Sequence, residues 1–285
     1  MTGIRAAADA DMPAVRSVAA RFGLLRSWPA GLDFLDAERA FGTLLLATAP
    51  DGAARGFGGT LRRGAVTHLG DLFVLAEHQS SGVGRTLLAE LLKGDEPKVT
   101  FASSDPRAMS LYMRHGLRPW SPLLYLTGPA AGLSGPPVRQ ATPEEVAELD
   151  AYAGGGARAQ TLAWYAAVPG VTCYTTGEGY AFARTTGDRV VIGPAGGATP
   201  QDCAAAALGA VAASADAAAS TGAAGSASGA GSASVAVMAV PGGHLLAPTL
   251  AEAGWRIADM DTFMADERAV DLVRTDRYLP HPDLG

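Results

Sequence analysis

The sequence predicts a mixed α/β (α+β) chain made of two tandem copies of one fold, each a mixed, mainly antiparallel twisted sheet flanked by helices. Three observations predict it. Apolar residues alternate between strand-like and helix-like periods along the first 128 residues. The stretch Thr127 to Pro137, TGPAAGLSGPP, is dense in helix and strand breakers and reads as a linker. On either side the chain repeats itself. Ile4-Arg5-Ala6-Ala7 with Asp11-Met12 lines up with Val138-Arg139-Gln140-Ala141 with Glu145-Val146 at an offset of 134, and Gly116-Leu117-Arg118 with Tyr125 lines up with Gly254-Trp255-Arg256 with Phe263 at an offset of 138. The expected organisation is a first domain over 1–128, a linker over 129–137 and a second domain over 138–285.

In the first copy, helical spacing appears over Met12 to Phe22 and around Leu32 to Phe41, and strands are expected at Thr43 to Ala49, Arg55 to Leu61, Val66 to Leu75 and Lys98 to Ala102. In the second copy, 28 of the 33 residues from Ala204 to Ala236 are Ala, Gly or Ser. Alanine's high propensity supports a helix up to about Ser214. Beyond it, the stretch near 214–234, including STGAAGSASGAGSAS, reads as a flexible exposed loop, because so little apolar surface cannot offset the entropy of ordering.

Composition narrows the function. With 285 residues and 48% hydrophobic content the chain can bury a sizeable core. Cys173 and Cys203 fit no metal-ligand spacing and make no disulfide framework, so no metal is expected and a reducing cytosol is the default. The start MTGIRAAADADMP lacks a basic region followed by an apolar run, and no segment is apolar enough to cross a bilayer, so a soluble cytoplasmic protein with no membrane partner is expected. Residues 1–136 hold 14 Lys and Arg against 12 Asp and Glu, while the remainder holds 8 against 16. An acidic second half argues against nucleic acid and suits a cationic ligand.

Two segments bear the chemistry. The strand Val66 to Leu75 alternates and leads into QSSGVG, Gln79 to Gly84, after which Val83, Leu87, Leu88, Leu91 and Leu92 share a helical face ending at Gly94. In a strand, glycine turn, helix unit, glycines allow close backbone approach and the free N–H groups of the helix start point at an anion. A phosphate site and a purely structural turn both fit this pattern. No P-loop Lys-Ser/Thr follows, and GxGxxG is absent. Downstream, the apolar VTFAS precedes SDPRAMSLYMRHGL, with Asp105 as N-cap, Pro106 at the first helical position, Met109, Tyr112 and Met113 at helical spacing, and Gly116 as the stop.

With both segments in place the sequence resembles the GNAT superfamily of acyl-CoA-dependent N-acetyltransferases over about residues 4 to 128. Leu72-Phe73-Val74, Gln79, Gly82 and Gly84 match its Leu-x-Val strand and Gln/Arg-x-x-Gly-x-Gly/Ala turn. Ala108, Leu111, Tyr112 and Gly116 match its downstream helix, where Asp105 replaces the usual Asn and Leu117 the usual Phe. The resemblance implies that acetyl-CoA is the acyl donor. Its pyrophosphate would lie on the loop and helix start formed by Gln79, Ser80, Ser81, Gly82, Val83, Gly84 and Arg85, with Phe73 and Val74 along the pantetheine and Asp105 beside it. A backbone N–H of the strand would polarise the thioester carbonyl. Tyr112 would protonate the departing thiolate, since a phenol of pKa about 10 stays protonated at neutral pH; packing as a core aromatic is the other reading of this residue.

The acceptor amine needs a base. His68 stands four residues before Leu72, where several members of the superfamily place a Glu base, and imidazole suits the task; a hydrogen-bonded core histidine is the alternative. Asp71 and Glu77 are weaker candidates, because alternation sends Asp71 to the opposite face and Glu77 lies beyond the strand. Both cysteines fall in the second half, so direct transfer in a ternary complex is preferred to an acyl-cysteine route. The second copy places Leu250 where Tyr112 stands and lacks the glycine turn. Its Arg189 to Leu208 segment, with Ile192-Gly193-Pro194, is similar to the C-terminal halves of certain bacterial two-domain GNAT proteins and implies a structural or substrate-shaping role. Trp164, Tyr165, Tyr174 and Tyr180 would line an acceptor pocket or pack a core. The expected activity is transfer of an acetyl or short acyl group to a small-molecule primary amine by a monomer or homodimer. A non-catalytic acyl-CoA-binding module and a protein lysine acetyltransferase are the alternatives.

Overall fold

The computed structural model describes residues 2–222 and 235–285. The first half runs β1 (Gly3–Ala6), α1 (Met12–Arg21), α2 (Phe34–Phe41), β2 (Gly42–Thr48), β3 (Ala54–Arg63), β4 (Val66–Val74), α3 (Val83–Leu91), β5 (Lys98–Ser103), α4 (Pro106–Arg114) and β6 (Arg118–Pro129). The second half repeats that order as β7 (Arg139–Gln140), α5 (Pro143–Gly154), α6 (Ala159–Ala166), β8 (Val171–Thr175), β9 (Gly179–Thr186), β10 (Arg189–Gly197), α7 (Pro200–Gly222), β11 (Val235–Pro241), α8 (Leu246–Glu252) and β12 (Arg256–Ala265), with a short β13 (Tyr278–Leu279) added. Short-range chemistry sets the helix starts. Asp33 caps α2 by accepting from the Leu35 N–H at 3.1 Å, and Asp105 caps α4 by accepting from the Arg107 N–H at 2.8 Å, one residue before Pro106.

Among the described residues thirteen strands join one sheet, in the order β1-β2-β3-β4-β5-β12-β6-β11-β10-β9-β8-β7, with β13 on β10. Each half contributes its last strand to the other. β12 lies between β5 and β6, pairing Phe263 with Phe101 and Ile257 with Leu126, while β6 lies between β12 and β11, its Leu126 opposite Met238 of β11. Most pairings are antiparallel; β4 with β5 and β10 with β11 are parallel. This exchange is absent from the local sequence pattern, because alternation fixes which face a residue takes and not which strand lies beside it.

The sheet separates the cores. On one face Leu87, Leu88 and Leu91 of α3 and Tyr112 of α4 pack on Leu45, Leu69 and Leu117. On the other, Val15 and Val18 of α1 and Phe34 and Leu35 of α2 pack on Phe57 and Leu61, together with Leu162 and Tyr165 of α6. Burying each such Leu or Val contributes about 1.5–3 kcal/mol. Helix α7 continues to Gly222, past the expected end near Ser214, because Ala at most positions sustains it. The remainder of the expected loop, 223–234, lies outside the described residues. Both cysteines are free and buried.

Candidate active site

Parallel pairing between β4 and β5 covers only Thr67 to Leu69 against Lys98 to Thr100. From Gly70 to Val74, β4 has no ladder partner on that side, so its backbone groups there line an opening. A cleft of about 790 Å³ fills it, walled by Leu72 and Val74, by Gln79 to Gly82 with Gly84 and Arg85, and by Asp105 to Ala108, Leu111 and Arg114 of α4. At its mouth Ser80 has φ of 60° and Gly82 of 90°, and Ser80 is the one non-glycine residue with positive φ among the described residues. Successive turns of this kind point backbone N–H groups inward, and the start of α3 adds its free N–H groups and dipole. Gly82 caps α3 without a side-chain bond, which leaves those donors unblocked.

Gln79 braces the loop: its amide N–H donates to the Val74 carbonyl at 3.1 Å, and its carbonyl accepts from Arg107 at 3.1 Å. Arg107 also holds Asp105, with Nη2 to Oδ2 at 2.8 Å, and this pairing keeps the Asp105 carboxyl below the usual carboxylate range. Arg85, Arg107 and Arg114 give the cleft three cations. Sequence reasoning named Arg85 and missed the other two. Their helical spacing of seven residues on α4 places them on one face, and that was the available signal.

Not every expected residue reaches the cleft. Val74, Gln79, Ser80, Ser81, Gly82, Gly84, Arg85 and Asp105 line it. Val83 turns its side chain into the core with Leu87, and the Phe73 ring lies on the far face, stacked on Phe57 with centroids 5.7 Å apart and against Phe22 at 4.9 Å. Tyr112 is buried beside Leu111; burial, and then the charges of Asp71, Asp105 and Asp261, push its phenol above the ordinary value. Asp71 is therefore the carboxylate that acts most strongly on Tyr112.

The placement of Asp71 corrects the alternation argument. On the antiparallel ladder Thr60 pairs with Leu69 and Gly59 with Asp71, so Gly70 is an extra residue, a bulge that resets the phase of β4. Leu69 and Leu72 both face α3, while His68, Asp71 and Phe73 share the face toward α1 and α2, opposite Leu61, Gly59 and Phe57. His68 is buried edge-on to Phe101, and burial together with the nearby Arg63 and Arg158 guanidinium groups drives its pKa well below the usual value. Burial pushes Asp71 up to about 7, with Asp283 and Asp33 adding repulsion. Glu38 of α2 meets Asp71 and is itself raised well above a normal carboxyl, first by burial and then by the Asp71 charge. Glu77 stays exposed beyond β4. Of the aromatics considered for an acceptor pocket, Tyr165 and Tyr180 are fully buried, Tyr174 nearly so, and Trp164 packs on Trp28. Among the described residues, no group of three or more His, Cys, Asp or Glu side chains could hold a metal ion, and no helix is long and apolar enough to cross a membrane.

The α/β order is repeated twice, and in the first half its parallel pair opens onto a glycine turn; comparisons with known proteins find the same arrangement. The family model for the acetyltransferase (GNAT) domain matches residues 36–128. Among solved structures, an acetyltransferase candidate from Pyrococcus horikoshii is 18% identical, with a TM-score of 0.73 and 100% of this chain and 96% of that chain covered. A GCN5-related N-acetyltransferase from Sphaerobacter thermophilus is 17% identical, with a TM-score of 0.55 over 93% and 95% of the two chains. A tandem GNAT protein from the clavulanic acid biosynthesis pathway is 15% identical, with a TM-score of 0.58 over 93% and 98%. No curated protein matches the chain. Residues 36–128 thus match the acetyltransferase (GNAT) domain, and the whole chain shares the fold of these GNAT structures, a tandem protein among them.

Proposed function

We propose that the protein transfers an acetyl or short acyl group from CoA to the primary amine of a small molecule, directly and in a ternary complex. The observation that supports this most is the cleft itself, which joins an anion cradle at the start of α3 to the unpaired edge of β4, with Leu111, the neighbour of the buried Tyr112, on its wall. The cradle fits a pyrophosphate: two positive-φ residues, an uncapped helix start and three arginines supply donors and charge where no carboxylate but Asp105 stands, and that one is neutralised by Arg107. Leu72 and Val74 offer an apolar wall for a pantetheine arm. When bound, acetyl-CoA supplies the activated acyl group. The chain's residues do the rest: backbone N–H groups on the free edge of β4 hold the carbonyl oxygen as negative charge grows there, and Tyr112 keeps its proton until sulfur needs it. We take His68 and Asp71, which share one face of β4, as the candidates to accept the proton of the amine.

The experiment is a full-chain assay of CoA thiol release from acetyl-CoA against cadaverine, spermidine and 2-phenylethylamine. Turnover with at least one supports the reading. A rise in melting temperature with acetyl-CoA but no release with any amine supports a binding module instead. Two variants bear on the site. A Cβ at Gly84 would sit 3.6 Å from Val74 Cγ2, in ordinary contact, so Gly84→Ala is expected to bind acetyl-CoA normally, whereas Gly84→Leu places a branched side chain in the cleft and is expected to abolish the acetyl-CoA melting shift. Tyr112→Phe is expected to lower kcat by about 10²-fold with acetyl-CoA affinity unchanged, as a general acid contributes at about that level. Full activity of this variant would assign Tyr112 to packing.

A further inference from the structure

Glu38 is a fully buried carboxyl in a slot made for it. It projects from α2 onto Gly59 of β3 and Gly70 of β4, and a Cβ on either glycine would overlap one of its oxygens. Neither oxygen meets a donor elsewhere among the described residues. The group it does meet is the carboxyl of Asp71, brought to that face by the Gly70 bulge. The charged groups that act on the pair are acids: Asp33, the N-cap of Glu38's own helix α2, and Asp283 in the C-terminal segment. Asp33 is already neutralised by Arg16 at 2.7 Å, and Asp283 accepts from the Trp28 indole at 2.8 Å. His68 lies on the same face of β4, and Tyr112 of α4 feels Asp71 across the strand. Two touching carboxyls without a cation cannot both be ionised, so a bond between them requires a proton on one.

We propose that Glu38 and Asp71 hold one proton between them and act as a single proton-accepting unit, which takes the proton of the acceptor's ammonium group and favours amines that carry no carboxylate beside the nitrogen. This rests on the acyl-transfer reading above. Both are buried, but Asp71 is the shallower member, 8% accessible against 0% for Glu38, so in this scheme Asp71 meets the amine and Glu38 stays behind it. The ammonium group gives one proton to the Asp71 carboxylate while Glu38 keeps its own. The neutral nitrogen then bonds to the acyl carbon as the carbon–sulfur bond breaks, Tyr112 gives its proton to sulfur, and the phenolate recovers one from the nitrogen. The products are an amide, a thiol and one proton, which leaves Asp71 for solvent. An acceptor carboxylate would face this unit, Asp283 and Asp261, all acidic.

The test uses the full chain as wild type, Glu38→Gln and Asp71→Asn. The acetyl-CoA melting shift is recorded first, then the infrared carboxylic-acid C=O band and kcat/KM for cadaverine and for lysine between about pH 5 and 9. In the wild type, a band that falls by about half with a midpoint near pH 7 and persists above it as the Glu38 acid, a kcat/KM limb rising over the same range, and at least about tenfold preference for cadaverine over lysine are expected. In Glu38→Gln an amide, a weaker donor than the carboxylic O–H, faces the Asp71 carboxylate, so the limb should move up by about half a pH unit or more and the part of the band that persists above pH 7 should vanish. In Asp71→Asn the limb should be lost. An unmoved limb and band in Glu38→Gln, with acetyl-CoA binding intact, would overturn the pair. So would a wild type with no carboxylic-acid band titrating near neutrality, a measurement that needs no folded variant. Absence of acetyl-CoA binding and of CoA release in the wild type would remove the acyl-transfer reading instead, and the infrared band would still report on the shared proton.

Discussion

Asp71→Asn is expected to reduce kcat by about 10²- to 10⁴-fold while the acetyl-CoA melting shift stays within error of the wild type, because the change removes proton transfer and leaves the cleft intact. Asparagine keeps the volume of the side chain, and its amide N–H can donate to Glu38, whose oxygens otherwise have no donor among the described residues. The native carboxyl is held under repulsion from Asp283 and Asp33 in a buried site, so its removal should leave stability unchanged or raise it. Activity lost with stability kept is the signature of a group retained for chemistry. The pH dependence has a definite sign. Asp71 titrates near 7 in the folded chain and near 4 when unfolded, so between those values the folded state binds the extra proton. Stability from this group is therefore highest below about pH 4 and falls as pH rises toward 7. Thermal melts across that window should show a shallower decline in Asp71→Asn than in the wild type, and an equal or steeper decline would place the titration elsewhere.

The parts of this site that could be read from the sequence are those encoded within one element. The glycine turn, the capped start of α4 and the apolar face of α3 each depend on residues a few positions apart, and the strands of the first half fall within two or three residues of their expected ends. Asp71 was misplaced for a specific reason. Strict alternation assumes an uninterrupted ladder, and a single bulged glycine reverses the faces of everything beyond it. Glu38 lies 33 positions from Asp71 on another element, in a helix whose other acidic and basic residues face solvent or Arg16, so its sequence neighbours give no sign of a buried partner. The exchange of β6 and β12 was likewise illegible. Both strands carry the pattern expected of a last strand, and only the closed sheet decides which half each one completes.

That exchange makes the two halves depend on one another, and a buried polar cluster should show it. Asp150→Ala is expected to destabilise the protein by about 3–5 kcal/mol, the usual cost of leaving one charge of a buried pair without its partner. Asp150 and Arg158 form a two-pronged bond, Nε to Oδ2 at 2.9 Å and Nη2 to Oδ1 at 2.8 Å, with side chains 0% and 2% accessible. Burial alone would raise the Asp150 carboxyl, but Arg158 more than offsets it and leaves it below the ordinary value. Tyr180 donates to the same carboxylate, and Arg158 reaches the Tyr278 hydroxyl at 2.6 Å and the Leu284 carbonyl at 3.2 Å. Arg63 enters from β3 of the first half, donating to the Gly154 carbonyl at 2.9 Å and the Tyr278 hydroxyl at 3.3 Å. With Asp150 gone, Arg158 would lose the carboxylate that holds it by two bonds while a second guanidinium group, Arg63, remains beside the same Tyr278 hydroxyl. At about 2–4 °C per kcal/mol for a chain of this size, the melting temperature should fall by roughly 6–20 °C. Replacing the pair together, as Asp150→Leu with Arg158→Met, should recover much of that loss, since apolar groups of similar volume need no partner. A loss in the double variant equal to or larger than in Asp150→Ala would show that the bonds to Tyr278 and Leu284, rather than the ion pair, hold the halves together.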